Sequence, residues 1–140
     1  LAIGTDGCAS NNDLDMLGET RTAALLAKAV ANDASALDAA SALRAATLGG
    51  ARALGLDARI GSIVPGKRAD LACIDLSDIE TQPLHYVVSQ LVYAAGRHQV
   101  TDVWIDGARR LRDRVPVDMD LDAIRANARQ WRDRIRQIRA

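Results

Sequence analysis

Leu1-Ala2-Ile3-Gly4-Thr5-Asp6-Gly7 is an apolar run that closes on a carboxylate. Apolar side chains at consecutive positions predict a short strand buried on both faces, the kind found in parallel sheets. Residues 7–15 are small and polar and predict a loop. A helix is predicted from Met16 to about Val30, because Leu17, Ala24, Leu25 and Ala29 share a face opposite Glu19, Arg21 and Lys28. Asn32-Asp33 ends it. Asp38 is the predicted N-cap of a second helix through Ala46, and Thr47 that of a third, which stops at Gly55. One strand followed by helices cannot complete a layered fold by itself. The sheet partners of residues 1–6 are therefore expected outside this sequence. The chain also opens on Leu1, not Met, inside the apolar run. We expect a fragment, a proteolytic product or a chain lacking its upstream part.

Beyond Gly55 the periodicity changes. Ile60–Val64 reads as short and extended, Pro65-Gly66 as the centre of a type II turn, and Ala69–Leu76 as a strand. Leu84–Ala94 reads as a short helix. Val100–Ile105 and Ala108–Arg112 read as paired strands across an Asp106-Gly107 turn. Asp120 caps a final helix whose apolar residues Leu121, Ile124, Ala128, Trp131, Ile135 and Ile138 form one stripe, with Arg125, Arg129, Arg132 and Arg136 off it.

Composition narrows the class. The 140 residues suffice for one modest core, and an apolar content of 49% excludes disorder. Phe is absent, so the core must be built from Ala, Leu, Ile and Val. Formal net charge is zero, and only residues 120–140, with six basic and three acidic side chains, are basic. That balance argues against a nucleic-acid partner. No apolar run reaches membrane-spanning length and no signal peptide is visible, so no membrane role is expected. Cys8 and Cys73 make neither a disulfide framework nor a zinc-finger pattern and read as free thiols of a reducing cytoplasm.

Asp6 is the first candidate for chemistry. A carboxylate at the end of an apolar strand stands where barrel enzymes place catalytic groups. It can ligate a divalent metal, shuttle a proton from metal-activated water, or simply cap a helix or an Asx-turn. The loop from Gly7 to Asp13 can line a pocket or merely connect elements. Gly61-Ser62-Ile63-Val64-Pro65-Gly66-Lys67-Arg68 nearly matches a phosphate-binding P-loop. Arg68 stands where magnesium chemistry needs Ser or Thr, and no helix follows, so a turn explains it better. His85 and His98 read as isolated. The Arg-rich final helix reads as docked on its parent protein through its apolar stripe.

Several segments together resemble a known family. Gly4-Thr5-Asp6-Gly7 followed by Ser10-Asn11-Asn12-Asp13-Leu14-Asp15-Met16 resembles the segment after the last barrel strand of amidohydrolase-superfamily deaminases. Ala42–Thr47 and Gly50–Leu56 resemble the helices that follow it. Ile60–Ile63, Pro65-Gly66-Lys67, Ala69-Asp70-Leu71 and Ile105-Asp106-Gly107 resemble the return through a small β domain. Within the superfamily, the Ser10–Met16 run and Ser89–Ala94 are most similar to 5′-methylthioadenosine/S-adenosylhomocysteine deaminases. Chlorohydrolases and guanine-type deaminases come next.

The resemblance implies an α/β fold: the C-terminal part of a metal-dependent TIM (β/α)8 barrel with part of a small β-sandwich domain. Residues 1–59 would supply the last barrel strand, active-site loop and flanking helices, residues 60–113 strands of the small domain, and residues 114–140 a C-terminal helix. It further implies one divalent metal, zinc first and iron second, with Asp6 as ligand and catalytic carboxylate. Gly7 and Ser10 would lie beside the substrate, a small nucleoside or heterocycle. The family's His-x-His pair, its other His ligands and its catalytic Glu are absent from these residues. One carboxylate cannot hold a catalytic zinc, which needs about three protein ligands. The missing barrel segment, or an oligomeric partner, is expected to supply the rest, and the chain alone is expected to be inactive. A dechlorinating or other deaminating relative, or a non-catalytic module that completes a barrel with a partner chain, are the alternatives.

Overall fold

A computed structural model describes residues 1–138. The helical half is organised by its caps. Helix α1 spans Met16–Ala31, and the Asp15 side chain accepts the Leu17 N–H at its start. It stops at Asn32, whose φ of 48° is left-handed and whose N–H reaches Ala29 O. Helix α2 spans Ala39–Arg44 under Asp38, which accepts the Ser41 N–H at 2.8 Å.

The second and third predicted helices are one rod, not two. Helix α2 runs through a π turn at Ala45–Gly49 directly into α3, Gly50–Ala53, with every junction residue right-handed. Thr47 caps nothing. Its hydroxyl donates to the Leu43 carbonyl at 2.7 Å, the back-bond that a Thr makes inside a helix. The rod ends as predicted at Gly55, with φ +68°. Gly55 N–H bonds Arg52 O and Leu56 N–H bonds Ala51 O, a Schellman pattern.

Two extended segments are not strands. Residues 1–7 have no regular structure. The apolar run finds no neighbouring strand among the described residues, and a lone strand cannot satisfy its backbone groups. Ile3 N–H instead reaches the Ala45 carbonyl on the π turn at 3.3 Å. Residues 60–62 form bends and residues 63–64 join no strand. Gly61, at φ +84°, tucks under the rod, where a Cβ would stand 2.6 Å from the Ala51 Cβ and 3.0 Å from the Leu48 Cα. The following turn is as predicted: Lys67 N–H bonds Val64 O, with Gly66 at φ +91°.

The sheet is small and antiparallel, with order β1-β2-β3-β4: Leu71–Ile74, Val100–Ile105, Ala108–Arg112 and Val115–Pro116. Asp106 and Gly107 have φ of 51° and 80°, the two positive values that a type I′ hairpin needs. Before β2 lies α4, Val87–Tyr93. The last helix, α5, spans Leu121–Ile138. Ala24 of α1, Ala42 of α2 and Val92 of α4 form the buried centre, so the core is built from small aliphatic side chains as composition required. Arg21 on α1 ties α1 to α4 by donating to the Val92 and Ala95 carbonyls at the end of α4.

Candidate functional site

Asp6 sits just before the loop that leads into α1. Its φ is +59°, a left-handed conformation that Asp tolerates better than most residues. Both carboxylate oxygens are engaged locally. Oδ1 accepts the Gly7 N–H at 2.7 Å, and Oδ2 accepts the Ser10 hydroxyl at 2.7 Å. The Ser10 hydroxyl, and after it the Gly7 N–H, hold the Asp6 carboxyl below the usual carboxylate range. Asp6 is therefore ionised at neutral pH. It is exposed, and it caps no helix, since Asp15 caps α1.

Gly7 and Ser10, the two other expected site residues, are thus both donors to Asp6. Ser10 and Asn11 N–H groups fold back onto the Gly7 carbonyl at 3.0 Å, closing the loop. A Cβ built on Gly7 meets nothing within 4 Å, so open space adjoins the carboxylate there.

Asn11, expected only as one member of the Gly7–Asp13 loop, is the only residue from 6 to 14 that is not exposed. Its Nδ2 donates to Thr5 O and to Glu19 Oε1, both at 2.8 Å, and its Oδ1 accepts the Asp13 N–H at 2.9 Å. Asp13 in turn pairs with Arg97, between α4 and β2. The Asn11 contacts are local, within the loop and to the first turn of α1, whereas the Asp13–Arg97 pair depends on how distant segments meet.

His98 is not isolated. Its Nε2 lies 3.1 Å from Glu80 Oε1, and with Asp78 these are the only three His, Cys, Asp or Glu groups among the described residues close enough to share an ion. All three are exposed. His85 joins no such group among the described residues. Cys8 and Cys73 are free thiols, both exposed.

The chemistry of the donor set decides what Asp6 can hold. An ionised carboxylate has about four lone-pair sites, and two are taken by Gly7 and Ser10. The remainder fit one oxygen ligand of a divalent metal. Among the described residues Asp6 belongs to no group of three or more His, Cys, Asp or Glu close enough to share an ion. A groove of about 490 Å³ lies elsewhere, between Leu1 and the α2–α3 rod, and Asp6 does not line it.

The model of the Amidohydrolase family matches residues 1–110. The chain belongs to the amidohydrolase family. It is 48% identical over 135 residues to a 5-methylthioadenosine/S-adenosylhomocysteine deaminase of Teredinibacter turnerae, covering 96% of this chain and 30% of that protein. A counterpart in Haloarcula marismortui is 46% identical over 128 residues, with 91% and 29% covered. Among solved structures, an adenosine deaminase from Xanthomonas campestris with bound zinc superimposes with a TM-score of 0.95. It is 75% identical, with 98% of this chain and 31% of that one covered. Atrazine chlorohydrolase from Arthrobacter aurescens, complexed with zinc, gives 0.79 at 31% identity, with 86% and 27% covered. The chain thus spans about three tenths of the length of the curated relatives it matches. No helix among the described residues is long and apolar enough to cross a membrane.

Proposed function

We propose that this chain is the C-terminal portion of a metal-dependent hydrolase that deaminates an adenosine-type nucleoside, methylthioadenosine or S-adenosylhomocysteine. The observation that carries this reading is Asp6: an ionised, exposed carboxylate, oriented by two donors, inside the region that the family matches. Asp6 would supply one oxygen ligand to a single divalent metal, zinc first because two similar structures hold zinc. A bound divalent metal supplies Lewis acidity and a nucleophile at neutral pH. Water adds to the purine carbon bearing the amine, and ammonia leaves. The Asp6 carboxylate takes a proton from the attacking water and returns it towards the leaving nitrogen. Gly7 and Ser10 keep that carboxylate aimed, and the open space at Gly7 gives substrate room to approach.

The other ligands come from outside these residues, either from the preceding barrel strands or from a partner chain. Residues 1–6 would become the last barrel strand once neighbours are present. Zinc-loaded chain alone is expected to show no turnover of methylthioadenosine, and measurable turnover overturns that expectation. In the parent enzyme, Asp6→Ala should abolish deamination and most zinc retention. The likeness to a chlorohydrolase supports a second reading, a different leaving group on a heterocycle. Release of ammonia from methylthioadenosine, against release of chloride from a chlorinated triazine, separates the two.

A further inference from the structure

We infer that Asn11, held by Glu19 on α1, is a positioning residue for the Asp6 carboxylate. The inference rests on the reading of Asp6 as the metal-binding group. Asp6 occupies a left-handed backbone conformation within an irregular segment. Its neighbours Gly7 and Ser10 are exposed and belong to the same loop, so they cannot anchor it to the fold. Asn11 can. One Nδ2 hydrogen goes to the carbonyl of Thr5, the peptide group leading into Asp6, and the other to Glu19 Oε1. Both partners are pure acceptors, and Oδ1 faces the Asp13 N–H, so the amide is oriented by its own network. Glu19 stands in the first turn of α1, which Arg21 locks onto α4. A chain of bonds thus runs from the packed helices through Glu19 and Asn11 to the peptide preceding Asp6. Partners that orient a metal ligand in this way are commonly worth 10–100-fold in metal affinity or activity.

The test uses the zinc-loaded parent enzyme and reads kcat, KM and the rate of zinc loss to a chelator. Asn11→Ala should lower kcat by roughly tenfold or more, keep KM within about twofold, and speed zinc loss. Glu19→Ala should do the same. Glu19→Gln keeps an acceptor oxygen for Asn11 and should restore near-parental values. The double variant Asn11→Ala/Glu19→Ala should be no worse than Asn11→Ala alone, because both break one chain of bonds. If Asn11→Ala does not fold, the Glu19→Ala and Glu19→Gln pair carries the comparison. A folded Asn11→Ala with parental kcat and zinc retention overturns the inference. So does a Glu19→Gln as impaired as Glu19→Ala, or an effect confined to KM. Asp6→Ala is the control for the underlying reading. If it keeps zinc and turnover, that reading fails. If it is inactive while Asn11→Ala is parental, only the positioning role fails.

Discussion

Asp6 combines a disfavoured backbone with a favoured side chain. A left-handed non-glycine residue costs roughly 1–2 kcal/mol, and short hydrogen bonds from Gly7 and Ser10 offset part of that cost. The carboxylate is therefore preset before any ligand arrives, which lowers the ordering cost of binding. Gly7 separates packing from chemistry. Since its Cβ direction is empty, Gly7→Ala should leave the thermal midpoint within about 1–2 °C, a change of a few tenths of a kcal/mol. In the parent enzyme the same methyl group would enter the space beside Asp6 and should raise KM or slow turnover by several fold, checked by steady-state kinetics with methylthioadenosine. Unchanged kinetics would remove Gly7 from the substrate pocket. Asp6 stood out in the sequence as a candidate because an apolar run ending on a carboxylate is a local pattern. The Asn11 network and the Asp78–Glu80–His98 group did not, since the first needs the loop to fold back onto Thr5 and α1 and the second joins segments well separated in the chain. His98 finds Glu80 only because the turn before β2 folds against the turn after β1.

Among the elements, the β2–β3 hairpin carries the sheet's main electrostatic contact. Asp102 of β2 is nearly buried, and Arg109 of β3 donates two bonds to its Oδ1, at 2.5 and 3.0 Å. That guanidinium holds the Asp102 carboxyl below the usual carboxylate range. A depressed folded-state pKa contributes stability above the ordinary carboxylate value of about 4, and the contribution is lost as pH falls through the lowered value. Arg109→Met removes that contribution, so the chain should be less stable near neutral pH and should lose less stability between about pH 5 and pH 2, giving a flatter profile than the parent chain. Thermal midpoints across roughly pH 2–7 would show this, and superimposable profiles would refute it. At the edge of the helical rod, Gly61→Ala should cost about 2–3 kcal/mol, because its backbone is left-handed and its Cβ would press on Ala51. Urea titration measures that loss. The hairpin was readable residue by residue, since Asp106-Gly107 settles both strands locally. The two-residue β4 at Val115–Pro116 was invisible, being too short to show alternation. The Thr47 reading failed because a Thr hydroxyl serves a cap or a back-bond equally well, and the sequence does not distinguish them.

At the scale of the whole molecule, α5 is the element that this chain does not pack. None of its residues is buried, and Leu121, Ile124, Trp131, Ile135 and Ile138 are all exposed. Its single half-buried residue, Ala126, lies on the opposite side of the helix from the stripe, given about 100° per residue. The apolar face is thus left uncovered by the described residues. The spacing of the stripe was legible, and so was the need for a cover, but the cover is not among the described residues. Helices owe most of their stability in proteins to burial of such a face. Left open, α5 should behave as a separate, weakly held unit. Trp131→Ala in the 140-residue chain is therefore expected to change global unfolding by less than about 0.5 kcal/mol, the usual range for surface sites. A buried tryptophan would cost about 3–5 kcal/mol. Trp104, half-buried against Arg109, must first be replaced so that fluorescence reports Trp131 alone. In Trp104→Phe chain, Trp131 emission should be red-shifted and open to acrylamide. In the parent enzyme it should be blue-shifted and shielded, and there Trp131→Ala should carry the larger penalty. A shielded Trp131 in the isolated chain would mean that the stripe closes on this segment itself or on a second copy, and dilution separates those two, because only the second copy leaves on dilution.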